Sequence, residues 1–335
     1  MMGFARYLAK RAITMFGVLM VTLLITVALV GSNMDAILKQ SVVVEERTAI
    51  TNDKALVAKF KTPEELERYV GDQIKQREIA LGLDKPWYFP PRLGLAMYKI
   101  LTLDFGHAKF LTSDTGSSDV KDIILEKMPR TILLFTTATV IIAIIGILVG
   151  AIAASKVNSK IDKITSAFAV ISSSFPVWWV GLLMIFLFAF VYPIFPARAT
   201  PTVHVTDPGY YASLIYHMSL PLITLVLIGF GSWSYLVRNF LVGVLQEDFI
   251  MAKKAAGIDK KKILYSHALK NAAPPIITIL ALGLSGSLGG SIITEAVFDW
   301  PGMGRLYYEA IGVLDLPVII ADILYGYFDP RVRRQ

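Results

Sequence analysis

The sequence contains no cysteine, which excludes disulfides, zinc–thiolate sites, iron–sulfur clusters and a cysteine nucleophile across its 335 residues. It has no G-x-x-x-x-G-K-[ST] phosphate loop, so this chain is not expected to hydrolyse ATP. H-E-x-x-H is absent too. His107, His204, His217 and His267 are scattered, with no pair at metal-binding helical spacing, so no metal site is expected. Charge is scarce: Asp, Glu, Lys and Arg make up 18% of the residues, whereas soluble domains carry about 25%. Hydrophobic residues reach 55%. Together these values place the chain in a lipid bilayer.

The apolar residues are gathered into runs. Residues 12–30 hold no charge and follow Arg6, Lys10 and Arg11. At 1.5 Å per residue that run crosses a hydrocarbon core of about 30 Å. A cleaved signal peptide would have a shorter apolar region, about 7–15 residues, and a small-x-small cleavage site. Further runs cover residues 131–154, 164–191 (interrupted by Pro176), 218–237 (closed by Arg238, placed to snorkel) and 276–297. The sixth is defective: residues 316–328 span only roughly 20 Å and include Asp322. Either this helix is re-entrant, or about twenty residues near Ile320–Ala321 are missing from a full crossing.

Residues 31–130 form the long polar block. Fifteen Lys and Arg balance fifteen Asp and Glu there, so the net charge of +7 lies elsewhere. A helical stretch near Pro63 and a hydrophobic cluster of Trp87, Tyr88, Phe89, Leu93, Leu95 and Met97 indicate a small folded insertion rather than a linker. The positive charge sits in the N-terminal tail, the loop with Lys156, Lys160 and Lys163, the segment 246–271, and the tail Arg331–Arg334. Those four regions fall on one side of the bilayer if six spans alternate, as the positive-inside rule requires. The charge lacks the aromatic interleaving of a nucleic-acid groove, so nucleic acid is not an expected partner.

The segment 246–271 is the most informative. In the stretch that starts Glu247, Asp248 and includes Ala252, the residues Phe249, Ile250, Lys253, Lys254 and Ala256 lie at helical spacing, and Gly257 suits the position after a helix C-terminus. A second helix starts after Asp259, a natural N-cap, and Pro274-Pro275 is expected to end it before the next span. On composition alone this is an ordinary positive-inside loop.

Gly257 with His267-Ala268-Leu269-Lys270-Asn271-Ala272 and Pro275 resembles the "EAA" loop of binding-protein-dependent ABC transporter permeases, closest to the dipeptide/oligopeptide branch. Met128-Pro129-Arg130-Thr131, Leu103-Asp104-Phe105-Gly106, Gly289-Gly290-Ser291 with Glu295, Asp299-Trp300-Pro301-Gly302-Met303-Gly304-Arg305-Leu306 and the terminal Asp329-Pro330-Arg331-Val332-Arg333 resemble the same branch, in order along the chain. Met251-Ala252-Lys253 stands where Glu-Ala-Ala gives the loop its name.

The resemblance implies an all-α membrane protein with about six transmembrane helices of the ABC importer permease type and an α-rich extracytoplasmic insertion after the first. Residues 1–30 would be a cytoplasmic tail and first helix, 31–130 the insertion, and 131–335 the core permease with a cytoplasmic coupling loop at 246–275. Both termini would be cytoplasmic, in a cell membrane. The implied partners are a second homologous permease, one or two ATP-binding subunits that hold the ATP and Mg, and an extracytoplasmic substrate-binding protein; this chain would bind no cofactor. The coupling helix would dock into a groove of the ATPase with Phe249 and Ile250 as anchors, Lys253 and Lys254 meeting acids, and Gly257 turning the chain; His267 and Asn271 complete the loop.

Ser172, Ser173, Ser174, Trp178, Trp179, Ser285, Ser287 and Gly289 are the candidates for the translocation path, although helix packing explains the same Gly and Ser residues. The branch imports peptides, and also oligosaccharides or nickel chelates, which these residues do not separate. From another class, an ion-coupled secondary transporter would bury a partnered charge mid-span. Glu295 and Asp322 are the carboxylates nearest membrane depth, and the complete spans read as holding no such site.

Overall fold

A computed structural model describes residues 2–102, 104–313, 315, 317–319 and 321. Among them there is no strand, only an isolated bridge between His107 and Asp119. The chain divides into two compact units, Met1–Phe105 and Gly106–Gln335.

In the first unit α1 (Met2–Asn52) contains the charge-free run 12–30 and continues without a break into the polar block. Asp53 caps α2 (Lys54–Val57). Thr62 caps α3 (Pro63–Ala80), its hydroxyl accepting from the Glu65 amide at 3.3 Å, with proline in the first turn. Helix α4 (Pro90–Thr102) closes the unit. The expected hydrophobic cluster is not the core: Tyr88, Phe89 and Leu95 are exposed. Val42, Ile50, Val70 and Leu83 are buried instead, because α3 packs along α1 and the turn before α4 leaves the aromatics on the outside. Ion pairs at 2.7 Å (Arg47–Glu67) and 2.6 Å (Arg92–Asp35) fasten the periphery.

The second unit holds α5 (Val120–Ser155), α6 (Lys160–Ser174), α7 (Val177–Ile185) extended by a π turn to Val191, α8 (Tyr210–Leu245), α9 (Asp248–Ala255), α10 (Lys260–Lys262), a π turn (Ile263–Ala268), α11 (Leu269–Ser287), α12 (Ile292–Phe298) and α13 (Met303–Val313). Among the described residues three stretches are long and apolar enough to cross a membrane, Val120–Ser155, Tyr210–Leu245 and Lys260–Ser287, and a fourth if Lys160–Ser174 and Val177–Val191 count as one span bent by 93°. The bend falls at Phe175-Pro176, where a proline was expected to interrupt the run. Elsewhere prolines do not break helices. Pro129, Pro221 and the pair Pro274-Pro275, expected to end a helix, all lie inside continuous ones. Each removes one backbone donor, which a packed membrane helix absorbs by local adjustment. The expected sixth crossing lies outside the described residues, 317–319 and 321 apart.

Helices α5 and α8 form the principal packing pair. Gly150 brings α5 so close that a Cβ there would lie 2.6 Å from the Ser234 carbonyl oxygen and 2.9 Å from Val237. Gly146 meets the Trp233 ring in the same way, and Gly231 on α8 leaves room for Phe168 and Ser172 of α6. Lipid chains are as apolar as leucine, so close backbone approach and dispersion hold such helices together. At the end of this bundle Arg238 pairs with Asp162, Nε to Oδ1 at 2.8 Å and Nη2 to Oδ2 at 2.9 Å. Arg238 therefore does not snorkel: the buried Asp162 carboxylate captures it as a bidentate partner and ties α8 to α6.

Two buried carboxylates organise the other end. Asp315 Oδ2 accepts the amides of Lys109, Phe110 and Leu111 at 2.9, 2.8 and 3.0 Å. Glu295, on α12, is fully buried. Its Oε2 accepts from the amides of Gly304 and Arg305 at 2.9 and 3.3 Å, in the first turn of α13. Its Oε1 accepts from the Thr131 hydroxyl of α5 at 3.1 Å, while that hydroxyl accepts from the Met303 amide at 2.7 Å. A Cβ at Gly290 or Gly302 would collide with Glu295 and Thr131, so both glycines are needed to close the cradle. Glu295, expected as one of the carboxylates nearest membrane depth, lies past the end of the spanning stretch Lys260–Ser287 rather than mid-span. The run breaks after Ser287, and the short α12 turns Glu295 onto backbone donors rather than into lipid.

Two outcomes follow from these contacts. Gly150→Leu should separate α5 from α8 and lower stability by about 1–3 kcal/mol, read as a lower melting temperature in detergent. Glu295→Ala leaves the Gly304 and Arg305 amides and the Thr131 hydroxyl without their acceptor in a dry site, and should cost about 2 kcal/mol or more in the same assay. Glu295→Gln, which can keep the amide bonds, should cost less.

Candidate functional site

Three places in the second unit carry the functional candidates: an elbow after α8, a chamber between α5, α7, α8, α11 and α12, and a polar recess beside the start of α5.

The elbow starts where α8 ends at Leu245. Helix α9 then runs to Ala255, the chain reverses at Gly257 with φ +76°, and Asp259 caps α10 by accepting from the amides of Lys261 and Lys262 at 2.9 and 3.4 Å. Open space surrounds Gly257, so its left-handed backbone, rather than a steric limit, is what calls for glycine. Of the residues singled out here, Glu247, Asp248, Ala252, Lys254, Ala256, Gly257 and Asn271 are exposed, and Phe249, Lys253 and His267 are half-buried. Ile250, expected as an anchor for a partner, is fully buried among Val237, Leu241, Ile263, Leu264 and Ala268. Helical spacing put it on an apolar face, and the π turn from Ile263 supplies the chain's own cover for that face. Phe249 packs against the rim of the same cluster. The elbow is thus fastened to the end of α8 by its own core and presents Glu247, Asp248, Met251, Ala252 and Lys254 outward.

The chamber has a volume of about 750 Å³. Phe135 and Thr139 of α5, Trp178 of α7, Leu225 of α8, and Leu282 and Ser287 of α11 line it, with α12 closing one side through Ile293 and Thr294. Of the path candidates, Trp178 and Ser287 face it; Ser172, Ser173, Ser174, Trp179, Ser285 and Gly289 are not among its lining. Ser172 is buried, its hydroxyl donating to the Ala169 carbonyl at 3.3 Å beneath Gly231. Ser173 and Ser174 donate to the Val170 carbonyl at 3.0 and 2.7 Å. These serines satisfy themselves within α6. Thr139, Leu282 and Thr294 were missed from sequence. Their one legible signal was the Gly283-x-x-Gly286 spacing beside Ser287, which belongs equally to packing.

The recess holds about 510 Å³, lined among others by Asp114, Lys127, Arg130, Tyr210, Arg305 and Glu309. Its charges are mutually paired. Asp114 meets Lys127 at 2.6 Å and Arg130 at 2.8 Å, and Arg305 meets Asp299 at 2.9 Å and Glu309 at 2.7 Å. Burial pushes the Asp114 carboxyl up, but the two cations outweigh it and bring it down to about 2. The group stays ionised through the physiological range, and its contribution to stability is lost only in strong acid, as pH falls from about 4 through 2. Among the described residues no group of three His, Cys, Asp or Glu side chains is placed to hold a metal ion.

Residues 146–334 match the family described as binding-protein-dependent transport system inner membrane component, a stretch that includes the elbow and most of the chamber wall. The chain is 30% identical to the dipeptide transport system permease protein DppB of Alkalihalophilus pseudofirmus over 301 residues, 79% of this chain and 88% of that protein. It is 32% identical to the dipeptide transport system permease protein DppB of Bacillus subtilis over 275 residues, 77% and 83% of the two chains. Against the oligopeptide transport system permease protein AppB of Bacillus subtilis the identity is 31% over 229 residues, 64% of this chain and 72% of that one. A match over more than half of the chain, joined to relatives covered across most of their length, makes this protein a member of the binding-protein-dependent transport system inner membrane component family.

Proposed function

We propose that this chain is the permease subunit of an ATP-driven importer of short peptides. The observation that carries the reading is the elbow: an exposed helix α9, a left-handed Gly257 and a second helix that runs unbroken into α11, all inside the family-matched region. The relatives named as dipeptide and oligopeptide permeases supply the cargo class. A separate ATPase, binding ATP and Mg itself, docks on the outward residues of α9; its closure moves the elbow, and α8 and α11 pass that motion to the chamber wall. A two-state bundle is what such a drive requires. This chain contributes no cofactor and no chemical step.

The remaining parts follow the charge pattern. Six crossings place both termini and the elbow in the cytoplasm, with the block 31–130 outside as an insertion that meets a substrate-binding protein. The chamber is half of a translocation path, completed by a second, homologous permease, with Trp178 and Ser287 on its wall and the other path candidates supporting it from behind.

The absence of native cysteine makes the topology directly measurable. Met251→Cys, at an exposed elbow position, should react with an impermeant maleimide only after the membrane is opened, whereas Thr112→Cys should react in intact cells. The reverse pattern would overturn the orientation. Gly257→Asp should insert normally, because open space surrounds the position, yet forcing φ +76° on a side-chain-bearing residue and adding charge to the docking face should uncouple the engine. ATP hydrolysis by the purified complex should persist while uptake falls at least about tenfold, equivalent to about 1.4 kcal/mol added to the barrier to transport. Wild-type uptake by this variant would count against the role assigned to the elbow.

A further inference from the structure

Among the described residues, the fourteen that line the chamber include no Asp, Glu, Lys, Arg or His, although five helices bound it and its volume is about 750 Å³. The recess at the start of α5 is the opposite, with three cations and two acids on its wall. The second unit therefore keeps its charge out of one cavity and concentrates it in the other.

Besides the indole N–H of Trp178, the polar side-chain groups on the chamber wall are four hydroxyls, and three of the four use their hydrogens internally. Thr139 donates to the Phe135 carbonyl at 2.8 Å, Ser287 to the Leu284 carbonyl at 2.7 Å, and Ser291 to the Thr294 hydroxyl at 3.0 Å. In the Ser287–Thr136 pair, at 2.8 Å, Thr136 is then the donor. What these hydroxyls offer to an occupant is oxygen lone pairs, suited to amide N–H groups. The rest of the wall is aliphatic and aromatic, with the Trp178 ring at its edge.

Resting on the importer reading above, we infer that the chamber is a transit site for short peptides and that it favours uncharged side chains. The passing backbone gives its N–H groups to the half-buried Thr139 and Ser291 oxygens, and apolar side chains lie against Phe135, Leu282 and Ile279. A Lys or Glu side chain entering the chamber sheds part of its water and finds no opposite charge on this wall to replace it. This wall favours neither sign, because its fourteen residues carry none.

The complex, purified through this chain with its own partners and reconstituted in proteoliposomes, tests this with three tripeptides: Ala-Ala-Ala, Ala-Lys-Ala and Ala-Glu-Ala. Rates are compared at saturating peptide, so that affinity for the binding protein drops out. The wild type should move the neutral peptide faster than either charged one. Leu282→Asp should raise the lysine-to-glutamate rate ratio by about threefold or more, the factor expected of a partly solvated charge pair, and Leu282→Lys should lower it similarly. Wild type moving either charged peptide faster than the neutral one would overturn the inference while leaving the importer reading intact. So would folded Leu282 variants with an unchanged ratio. ATP-dependent uptake of none of the three would remove the peptide reading and this inference with it.

Discussion

Close approach between α5 and α8 is the constraint on which the second unit depends. In a bilayer, burying leucine against leucine gains little over burying it in lipid, so the helices must fit at backbone distance. Gly146 and Gly150 on one side and Gly231 on the other remove the Cβ atoms that would hold them apart. Once α5 and α8 are seated, α6 is fixed beside α8, and the chamber is the space left where α7, α11 and α12 cannot follow the same tight line.

Polar groups then secure the ends. Asp162 and Arg238 join α6 to α8 near the elbow, and Glu295 joins α5, α12 and α13 beside the chamber. Both sites satisfy nearly every donor and acceptor they bury, which is the condition for a polar group to add stability in a low-dielectric surrounding. The elbow follows the same logic with apolar groups. Ile250 turns inward to the end of α8, and the charged and small residues are left for contact with something else.

Much of this was legible in the sequence, for stated reasons. Charge-free runs marked the membrane helices, Pro176 marked the bend, and Thr62 and Asp259 marked helix starts because a cap is a local event between residues a few positions apart. Gly257 was expected just past a helix end, and its φ of +76° is the left-handed backbone which that position takes. What the sequence hid was set by tertiary partners. Ile250 reads as an exposed anchor until the π turn at Ile263–Ala268 covers it, and Arg238 reads as a snorkelling end until Asp162, seventy-six positions away, captures it. The three serines of α6 looked like a path lining because hydroxyls in a span are conspicuous, yet each hydroxyl turns back onto its own helix. Pro274-Pro275 looked like a stop because in water it would be one.

The helix that leaves the elbow has a mechanical consequence. From Lys260 to Ser287 it is unbroken, twenty-eight residues including the π turn at its near end. At 1.5 Å per residue that is a rod of roughly 40 Å. Tilting such a rod by about 10° about its near end carries the far end sideways by about 7 Å, wider than the spacing between neighbouring amino acids in an extended chain. Its far tip is Ser287, on the chamber wall. A modest angular displacement at one end of this lever is enough, by geometry alone, to change which objects fit at the other.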